Sequence, residues 1–463
     1  MNIGILCSTL AIGQTPAIPP LPVIPAAPAP IVRTMPAMPA APVYAVPTMK
    51  VQAPAPMPAP ITPATPAPVA APVNEAPAAA EEAAPEADKF FLQKLLEGTS
   101  GGKQLADNGW KIYGWTQGSY NASTVRNNNN SPVPFIQRAN AFSMNQNWLH
   151  IEKTIDTEKK EIQLGGVFDG FYGSDYYTTL SRPLFTNQLN NLTWQNPNGY
   201  DIFQMYADVY LPNLGASGTT LRVGKFATFL EYEVVQGISN PFISRSYLFQ
   251  YNPFTHTGAL AITPIGDDWT IQNGAVLGAD NWIDRYTNSF TYIGQLKWAP
   301  KEGNTSVAFG TMIGSAQFNQ QENFNNYDVF NLQVTHKITD KLTYVFDGSY
   351  SFMQNVPNVS GGNANWYGMV NYLFYQVNDK LASNFRVDLF NDTQGIRTGY
   401  NGLYTAVTYG LTYKPMPWLS IMPEVRYDYN AGNGVAVADG TTQGPWDGKK
   451  DLFTAAVGFI VRW

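Results

Sequence analysis

The sequence predicts an all-β protein, a transmembrane antiparallel β-barrel of about 16 strands (roughly 14–18). Three observations lead to this fold. Residues 453–463 alternate between apolar and other side chains. Only 13% of residues are charged and 13% are aromatic, yet no run of about 18 apolar residues, as a membrane helix needs, occurs. From Trp110 onward, short turns alternate with longer loops.

The final strand is the most specific of these signals. Its apolar face consists of Phe453, Ala455, Val457, Phe459, Val461 and Trp463, and its other face carries Thr454, Gly458 and Arg462. An exposed apolar edge strand promotes aggregation, whereas a barrel removes the edge by pairing its last strand with its first. We therefore expect Phe459, Val461 and Trp463 to close the barrel. The tail also resembles the signal that the barrel-assembly machinery reads, with Ala456 as a departure. The alternative is the last strand of a soluble sandwich.

Composition excludes several classes of function. The net charge is −6 and the sequence has no basic run, so nucleic-acid binding is not expected. The one cysteine, Cys7, rules out intrachain disulfides and multi-cysteine metal sites. No cofactor and no metal are expected.

The N-terminal region divides into two expected segments. Residues 1–14 read as the remnant of a secretory signal peptide that lacks a basic start. Lipidation at Cys7 is a weaker alternative, because Leu6 stands where a small residue is usual. Residues 15–85 are rich in proline and alanine, with 21 of the 35 prolines. This composition predicts a disordered or polyproline II arm, either contacting the cell wall or acting as a passive linker.

Residues 86–98 predict a short amphipathic helix. Phe91, Leu92, Leu95 and Leu96 fall on one face, and Gly98 is a stop signal. The helix would rest on the barrel mouth, assemble with neighbours, or be a lightly ordered start of the barrel domain, 110–463.

Turn chemistry sets the strand count. Seven short turns are rich in Gly, Pro, Asn and Asp: 156–160, 212–215, 264–268, 300–304, 339–341, 378–380 and 415–417. Eight longer segments separate them: 121–137, 174–200, 229–256, 280–288, 316–325, 355–363, 391–401 and 430–450. Both termini then fall on the short-turn side, which is the periplasmic side of bacterial barrels.

Alternation within strands supports the barrel. In 381–390, Phe385 and Leu389 oppose Arg386 and Asp388. In 419–430, the apolar face opposes Glu424, Arg426 and Asp428. In 203–211, we expect Phe203 to share a face with Met205, opposite Gln204 and Asp208. Charges in mid-strand need water or a partner, and a wet lumen provides both.

Tryptophans mark one rim. Five of the eleven lie beside predicted short turns or chain ends: Trp110, Trp269, Trp298, Trp418 and Trp463. This clustering is typical of an aromatic girdle at the periplasmic interface.

Several stretches resemble a known family. They are FSMNQ at 142–146, FYGSDY at 171–176, ADVYLPNLGASGTTLRVGKF at 207–226, YLFQYNPFTHTG at 247–258 and GADNW at 278–282. They are similar to the putative β-barrel porin-2 (OmpL-like) family, over essentially 110–463. The resemblance implies an outer-membrane porin and names no solute.

Catalytic motifs are absent from the sequence: it has no GxSxG, HExxH, P-loop or EF-hand pattern. An outer-membrane lipase would need a serine beside His150 or His336, and no spacing provides one. We therefore expect no enzyme.

Segment 229–256 is the best functional candidate. It is long, aromatic and poor in charge, so it would be poorly soluble outside the protein. One interpretation folds it into the lumen as a constriction that carries Glu231, Glu233 and Arg245. The other packs it among the outer loops.

Further charged side chains are pore-lining candidates on the strands: Asp169, Asp208, Arg222, Lys225, Arg386, Asp388, Glu424, Arg426 and Asp428. Facing charges tune ion selectivity in channels. The alternative is a set of cross-strand ion pairs in a filled lumen.

The function that follows is passive diffusion of small hydrophilic solutes or ions across the outer membrane of a diderm bacterium. Expected partners are those solutes and outer-membrane lipids, with a homotrimer by analogy to other 16-stranded porins. The alternative is a closed structural or adhesive barrel, tethered to the envelope by its arm. A soluble β-sandwich array is a third option.

Overall fold

A computed structural model describes residues 90–126, 128–193, 195–283, 290–316, 325–356, 359–436 and 442–463. The expected signal remnant and arm lie outside these residues, as do residues 86–89 of the expected helix. No helix in the described ranges is long and apolar enough to cross a membrane.

Sixteen strands form one closed antiparallel barrel, which confirms the predicted fold and strand number. The strands are β1 (Trp110–Ser123), β2 (Ala141–Lys153), β3 (Gln163–Gly173), β4 (Gly199–Leu211), β5 (Thr219–Ala227), β6 (Thr255–Ile265), β7 (Trp269–Val276), β8 (Thr291–Trp298), β9 (Thr305–Ile313), β10 (Asn325–Lys337), β11 (Leu342–Met353), β12 (Ala364–Asn378), β13 (Leu381–Asp392), β14 (Gly402–Met416), β15 (Leu419–Asn430) and β16 (Asp451–Arg462). Each strand pairs with its neighbours in the chain, and β16 pairs with β1 from Trp115–Arg462 to Ser123–Thr454.

Within the described ranges, helices are few and short. They are α1 (Phe91–Glu97), α2 (Ser100–Asp107), α3 (Tyr176–Thr179) and α4 (Tyr247–Tyr251), with 3₁₀ turns at Thr186–Asn191 and Gly237–Ser239. Two-residue strands at Val435–Ala436 and Thr442–Gln443 pair with each other, and Ser315–Ala316 extend β9 past Gly314.

The two faces of the barrel follow the predicted alternation. Phe385, Tyr427 and Val457 are exposed on the lipid side, whereas Arg386 and Asp428 are buried in the interior. The periplasmic girdle also appears, since Trp110, Trp269 and Trp418 are exposed beside the short-turn rim. Burying apolar faces in lipid while the backbone pairs completely is what stabilises a barrel in a membrane.

One orientation differs from the sequence expectation. Phe203 faces the interior and is buried, not lipid-facing with Met205. The register between β3 and β4 shifts where Gly170 pairs with Ile202 and Asp169 with Gln204, so Phe203 is an extra residue in β4. A β-bulge of this kind resets the alternation beyond it.

The barrel interior is packed with aromatic side chains. Trp115 stacks on Trp148 with 4.9 Å between ring centroids, and Trp148 stacks on Phe171 at 4.7 Å. Trp366 is also fully buried. The core therefore lies inside the barrel.

The lipid-facing assignment gives a direct prediction. The change Val457→Arg places a charge in the middle of β16, and we expect it to lower the free energy of unfolding by about 2–4 kcal/mol. Leu214→Arg, at an exposed residue of a periplasmic turn, should change it by less than about 0.5 kcal/mol. Urea titration of both variants refolded into lipid vesicles measures the difference. Equal stability would mean that Val457 does not face lipid.

Candidate functional site

The loop between β5 and β6, residues 228–254, is the candidate site and is called here the inner loop. Its apolar side chains are buried inside the barrel, among them Leu230, Phe242 and Ile243. The structure thus places segment 229–256 in the lumen, except that Thr255 and His256 already belong to β6. Removing this much aromatic and aliphatic surface from water explains why a loop so poor in charge folds inward.

The barrel wall has glycine instead of larger residues at several points where the inner loop contacts it. A Cβ atom at Gly458 would lie 2.8 Å from Ile243 Cδ1, and one at Gly410 would lie 3.1 Å from the Phe242 ring. At Gly310 the nearest atom would be Leu230 Cδ2, at 2.7 Å. Glycine at these inward positions makes room for the loop side chains, so wall and loop are shaped to each other.

Arg386 on β13 holds one side of the inner loop. Its guanidinium donates to Glu233 Oε1 at 2.8 Å, and both side chains are buried. It also donates to the Ser244 carbonyl oxygen at 3.0 Å and to Ser244 Oγ at 2.9 Å. An arginine with this many acceptors is well compensated for its lost hydration.

A second anchor comes from β15. Arg426 pairs with Asp428 at 2.7 Å and donates to the Arg245 carbonyl oxygen at 2.7 Å. The Tyr247 hydroxyl donates to Asp428 Oδ1, also at 2.7 Å. These bonds fix the backbone and a side chain of the inner loop to one strand.

Two more wall carboxylates accept from loop backbone. Asp388 accepts from the Tyr247 N–H at 2.6 Å, and Glu424 accepts from the Ile243 N–H at 2.8 Å. Arg245 donates back to the carbonyl oxygens of Phe242 and Ile243, which braces the turn between these contacts. Hydrogen bonds to charged groups are stronger than neutral ones, so this side of the loop is tightly held.

Asn252 connects the loop to β11 and β12, and sequence reasoning missed it. Its amide donates to Glu231 and to Ser349 Oγ, and its carbonyl oxygen accepts from Ser351 Oγ and Trp366 Nε1. A single asparagine in a loop carries no spacing signal that would have identified it.

Gln146 on β2, three strands from β15 around the wall, also binds the loop and was also missed. Its amide donates to the Val235 carbonyl oxygen at 2.7 Å, while its carbonyl oxygen accepts from the Gly237 N–H at 3.0 Å. The inner loop therefore leaves the wall at β5, crosses the lumen to β13 and β15, and also contacts β2.

The remaining lining candidates lie apart from this network, on the β3–β5 wall. Asp169 accepts from Trp148 Nε1 and contacts His150 Nδ1 at 2.6 Å. Arg222 pairs with Asp208 at 3.0 Å. Lys225 is fully buried, 3.5 Å from Asp201. The candidates thus form separate groups rather than one ring.

The other two histidines have ordinary partners. His336 Nδ1 lies 2.8 Å from Thr305 Oγ1, and His256 lies between the Gly278 carbonyl oxygen and Thr228 Oγ1. Among the described residues, no group of three or more His, Cys, Asp or Glu side chains could hold a metal ion.

Asp280, in the outer loop 277–290, secures the far end of the inner loop. Its Oδ1 accepts from the Phe254 N–H at 3.0 Å and the Thr255 N–H at 2.8 Å. Burial raises the pKa of this carboxyl to about 6. Between pH 4 and 6 the folded chain holds a proton that the unfolded chain releases, so local stability falls as pH rises through this window.

We expect Asp280→Asn to remove that pH dependence. Because Asp280 is only half-buried, solvent limits the difference to about 1–2 kcal/mol. Hydrogen exchange of the 254–255 amides at pH 4 and pH 7, corrected for intrinsic rates, measures it. If the 254–255 amides of the wild type are as well protected at pH 7 as at pH 4, the folded state does not hold the proton on the Asp280 carboxyl.

A family model described as putative beta-barrel porin-2, OmpL-like, matches residues 109–461. The chain belongs to this family. Membership and fold place it in the outer membrane of a Gram-negative bacterium and support a passive diffusion channel. No curated protein matches the sequence.

Solved porin structures share the fold of this family member. An anion-selective porin from Comamonas acidovorans is 9% identical with a TM-score of 0.54, covering 76% of this chain and 99% of that one. The high-pH structure of Pseudomonas putida OprB is 11% identical with a TM-score of 0.50, covering 79% and 97%. At these identities the likeness concerns the fold alone.

Proposed function

We propose that this protein is a diffusion channel for small hydrophilic solutes or ions, in which the inner loop sets the width of the path. The observation that carries the proposal is the polar and charged inner wall of a 16-stranded barrel whose outer face is apolar. A barrel of this size encloses an aqueous lumen unless something fills it. The lining candidates would act through their field on the solute.

The path we propose follows the periplasmic half of the wall from β5 to β10. Inward-facing side chains are only half-buried there: Arg222, Thr270, Lys297, Ser306 and Thr335. It then passes Gln295 and Gln333, which both donate to the Phe229 carbonyl oxygen at the start of the inner loop. Movement of this end of the loop would widen the path.

The first test is conductance of the full chain, refolded in detergent and inserted into a planar bilayer. Discrete current steps are expected. A barrel that is folded, as judged by heat-modifiable mobility on gels, and yet gives no steps would contradict the proposal.

A second candidate function, a closed structural barrel, is favoured by a specific observation. All lining candidates except Arg222 are buried, and those on β13 and β15 lie between the wall and the inner loop. In that case the ion pairs would stabilise a filled lumen. Absence of current in the wild type, together with current after removal of the inner loop, would favour this function.

Lys297 offers a test of the proposed path. It faces the lumen from β8, and the change Lys297→Glu should shift permeability severalfold from anions toward cations. Lys301→Glu is the matched control, because Lys301 is exposed in a periplasmic turn. Reversal potentials in asymmetric salt measure the effect. Equal shifts in both variants would place the path elsewhere.

We further propose that the protein performs no covalent chemistry, since His150 contacts carboxylates and His336 a threonine rather than a serine nucleophile. Assembly as a homotrimer, insertion by the barrel-assembly machinery and cell-wall contact by the arm also belong to this proposal. Cross-linking of the full chain in native membranes tests the trimer.

A further inference from the structure

Helices α1 and α2 form a tight hairpin just before β1. Thr99 caps α2, its Oγ1 accepting from the Gly102 N–H at 3.0 Å. The helices cross at Gly102, where a Cβ atom would overlap the Leu96 carbonyl oxygen. Beyond α2, the Thr154 N–H donates to the Gly109 carbonyl oxygen at 2.9 Å, and Lys153 Nζ donates to that of Asn108. The hairpin is thus fastened to the periplasmic end of β1 and β2.

The hairpin leaves large apolar side chains uncovered. Phe91 is 66% exposed, Leu95 59% and Leu105 41%. Phe91 and Leu95 lie one turn apart on α1, so they share a face. Of the expected apolar face of α1, only Leu92 and Leu96 are partly covered by the protein, and both are half-buried.

This apolar surface is continuous with the lipid-facing belt of the barrel. A shallow cavity between hairpin and wall is lined by Leu96, Leu105, Ala106, Trp110 and Ile112, among others. Trp110 and Ile112 are on the outward-facing side of β1, and Trp110 belongs to the periplasmic girdle. Leu105 thus links the lipid-facing strand to the helices.

Charges on the hairpin balance. Lys94 and Lys103 are matched by Glu97 and Asp107, and all except Glu97 are exposed. A net charge of zero fits a zwitterionic lipid surface rather than an anionic partner.

We propose that the α1–α2 hairpin lies in the headgroup layer of the periplasmic leaflet, with Phe91, Leu95 and Leu105 among the upper acyl chains of zwitterionic phospholipid. The hairpin extends the lipid contact of the barrel beyond its strands. This inference does not depend on whether the lumen conducts.

The test uses the full chain with Cys7→Ser, reconstituted in phosphatidylethanolamine–phosphatidylcholine vesicles. Leu95→Cys carries an environment-sensitive nitrobenzoxadiazole label. Lys159→Cys, at an exposed residue in a periplasmic turn, carries the same label as the control. Lipids spin-labelled near the headgroup should quench position 95 at least about twofold more strongly than position 159, without dependence on salt. Heat-modifiable mobility shows that both barrels are folded.

Equal quenching at the two positions, with water-like emission at position 95, would overturn the proposal. So would a disulfide between position-95 cysteines of two copies that forms in unlabelled protein diluted in excess lipid, because a second copy of the chain would then cover this face. Labelling at Phe91→Cys provides an independent repeat, since a label placed one turn away on the same face must give the same result.

Discussion

Replacing residues 233–250 of the inner loop with a short Gly-Ser linker should turn the barrel into a wide channel with conductance in the nanosiemens range. The inner loop leaves the wall at β5 and bonds Arg386 on β13, eight strands away in the sixteen-stranded barrel, so it crosses the whole lumen. A 16-stranded barrel without it keeps an aqueous interior.

The design keeps the ends of the loop in place. Asn252 donates to Glu231, so the two cut points are adjacent and a linker of about four residues can join them. Asp347 would keep its bond from the Tyr232 N–H, at 2.8 Å. The wall side chains Arg386, Asp388 and Asp428 would gain water in place of the loop, which limits the loss of stability.

Replacing Thr186–Asn191, an exposed 3₁₀ turn in an outer loop, is the control. It should leave single-channel conductance as in the wild type. If the inner-loop variant is folded and conducts no more than this control, the lumen is closed by something other than the inner loop.

The strands were predictable because their signal is local. Turn residues at short spacing gave the count of about sixteen strands. Alternation with period two needs only consecutive residues, and it gave the inward position of Arg386 and Asp428. The alternation misplaced Phe203 because one bulge residue in β4 changes which face the neighbouring side chains occupy, and a bulge cannot be recognised from composition. The sequence analysis also missed α2. Its sequence SGGKQLAD has glycine, a poor helix former, at the second and third positions, so the helix depends on the Thr99 cap and on packing against α1.

The site was only partly predictable because its contacts are not local. The low charge of 229–256 predicted, as one of two options, that this segment folds into the lumen. The contacts that hold the segment in the lumen, however, join residues far apart in sequence. Glu233 and Arg386 are separated by 153 positions, and Tyr247 and Asp428 by 181. No spacing rule connects such pairs. Gln146 and Asn252 are uncharged and isolated, so only the folded barrel identifies them.

Arg386→Met should lower the free energy of unfolding by about 3–5 kcal/mol and release the inner loop. Methionine keeps the aliphatic packing near Phe242, over whose ring the guanidinium now lies at 4.9 Å, but it leaves Glu233 buried without its cation. An unpaired carboxylate in this interior costs more than the pair contributes, so the loop is expected to detach and become accessible to protease.

The double variant Arg386→Met/Glu233→Gln separates charge from packing. Because it removes both charges, it should recover more than half of the lost stability. Lys301→Met is the control, since its pair with Asp267 is exposed and should contribute less than about 0.5 kcal/mol. Urea titration in detergent gives the free energies, and limited proteolysis gives the state of the loop. A single variant no less stable than the Lys301 control would show that the Arg386–Glu233 pair does not hold the inner loop in the lumen.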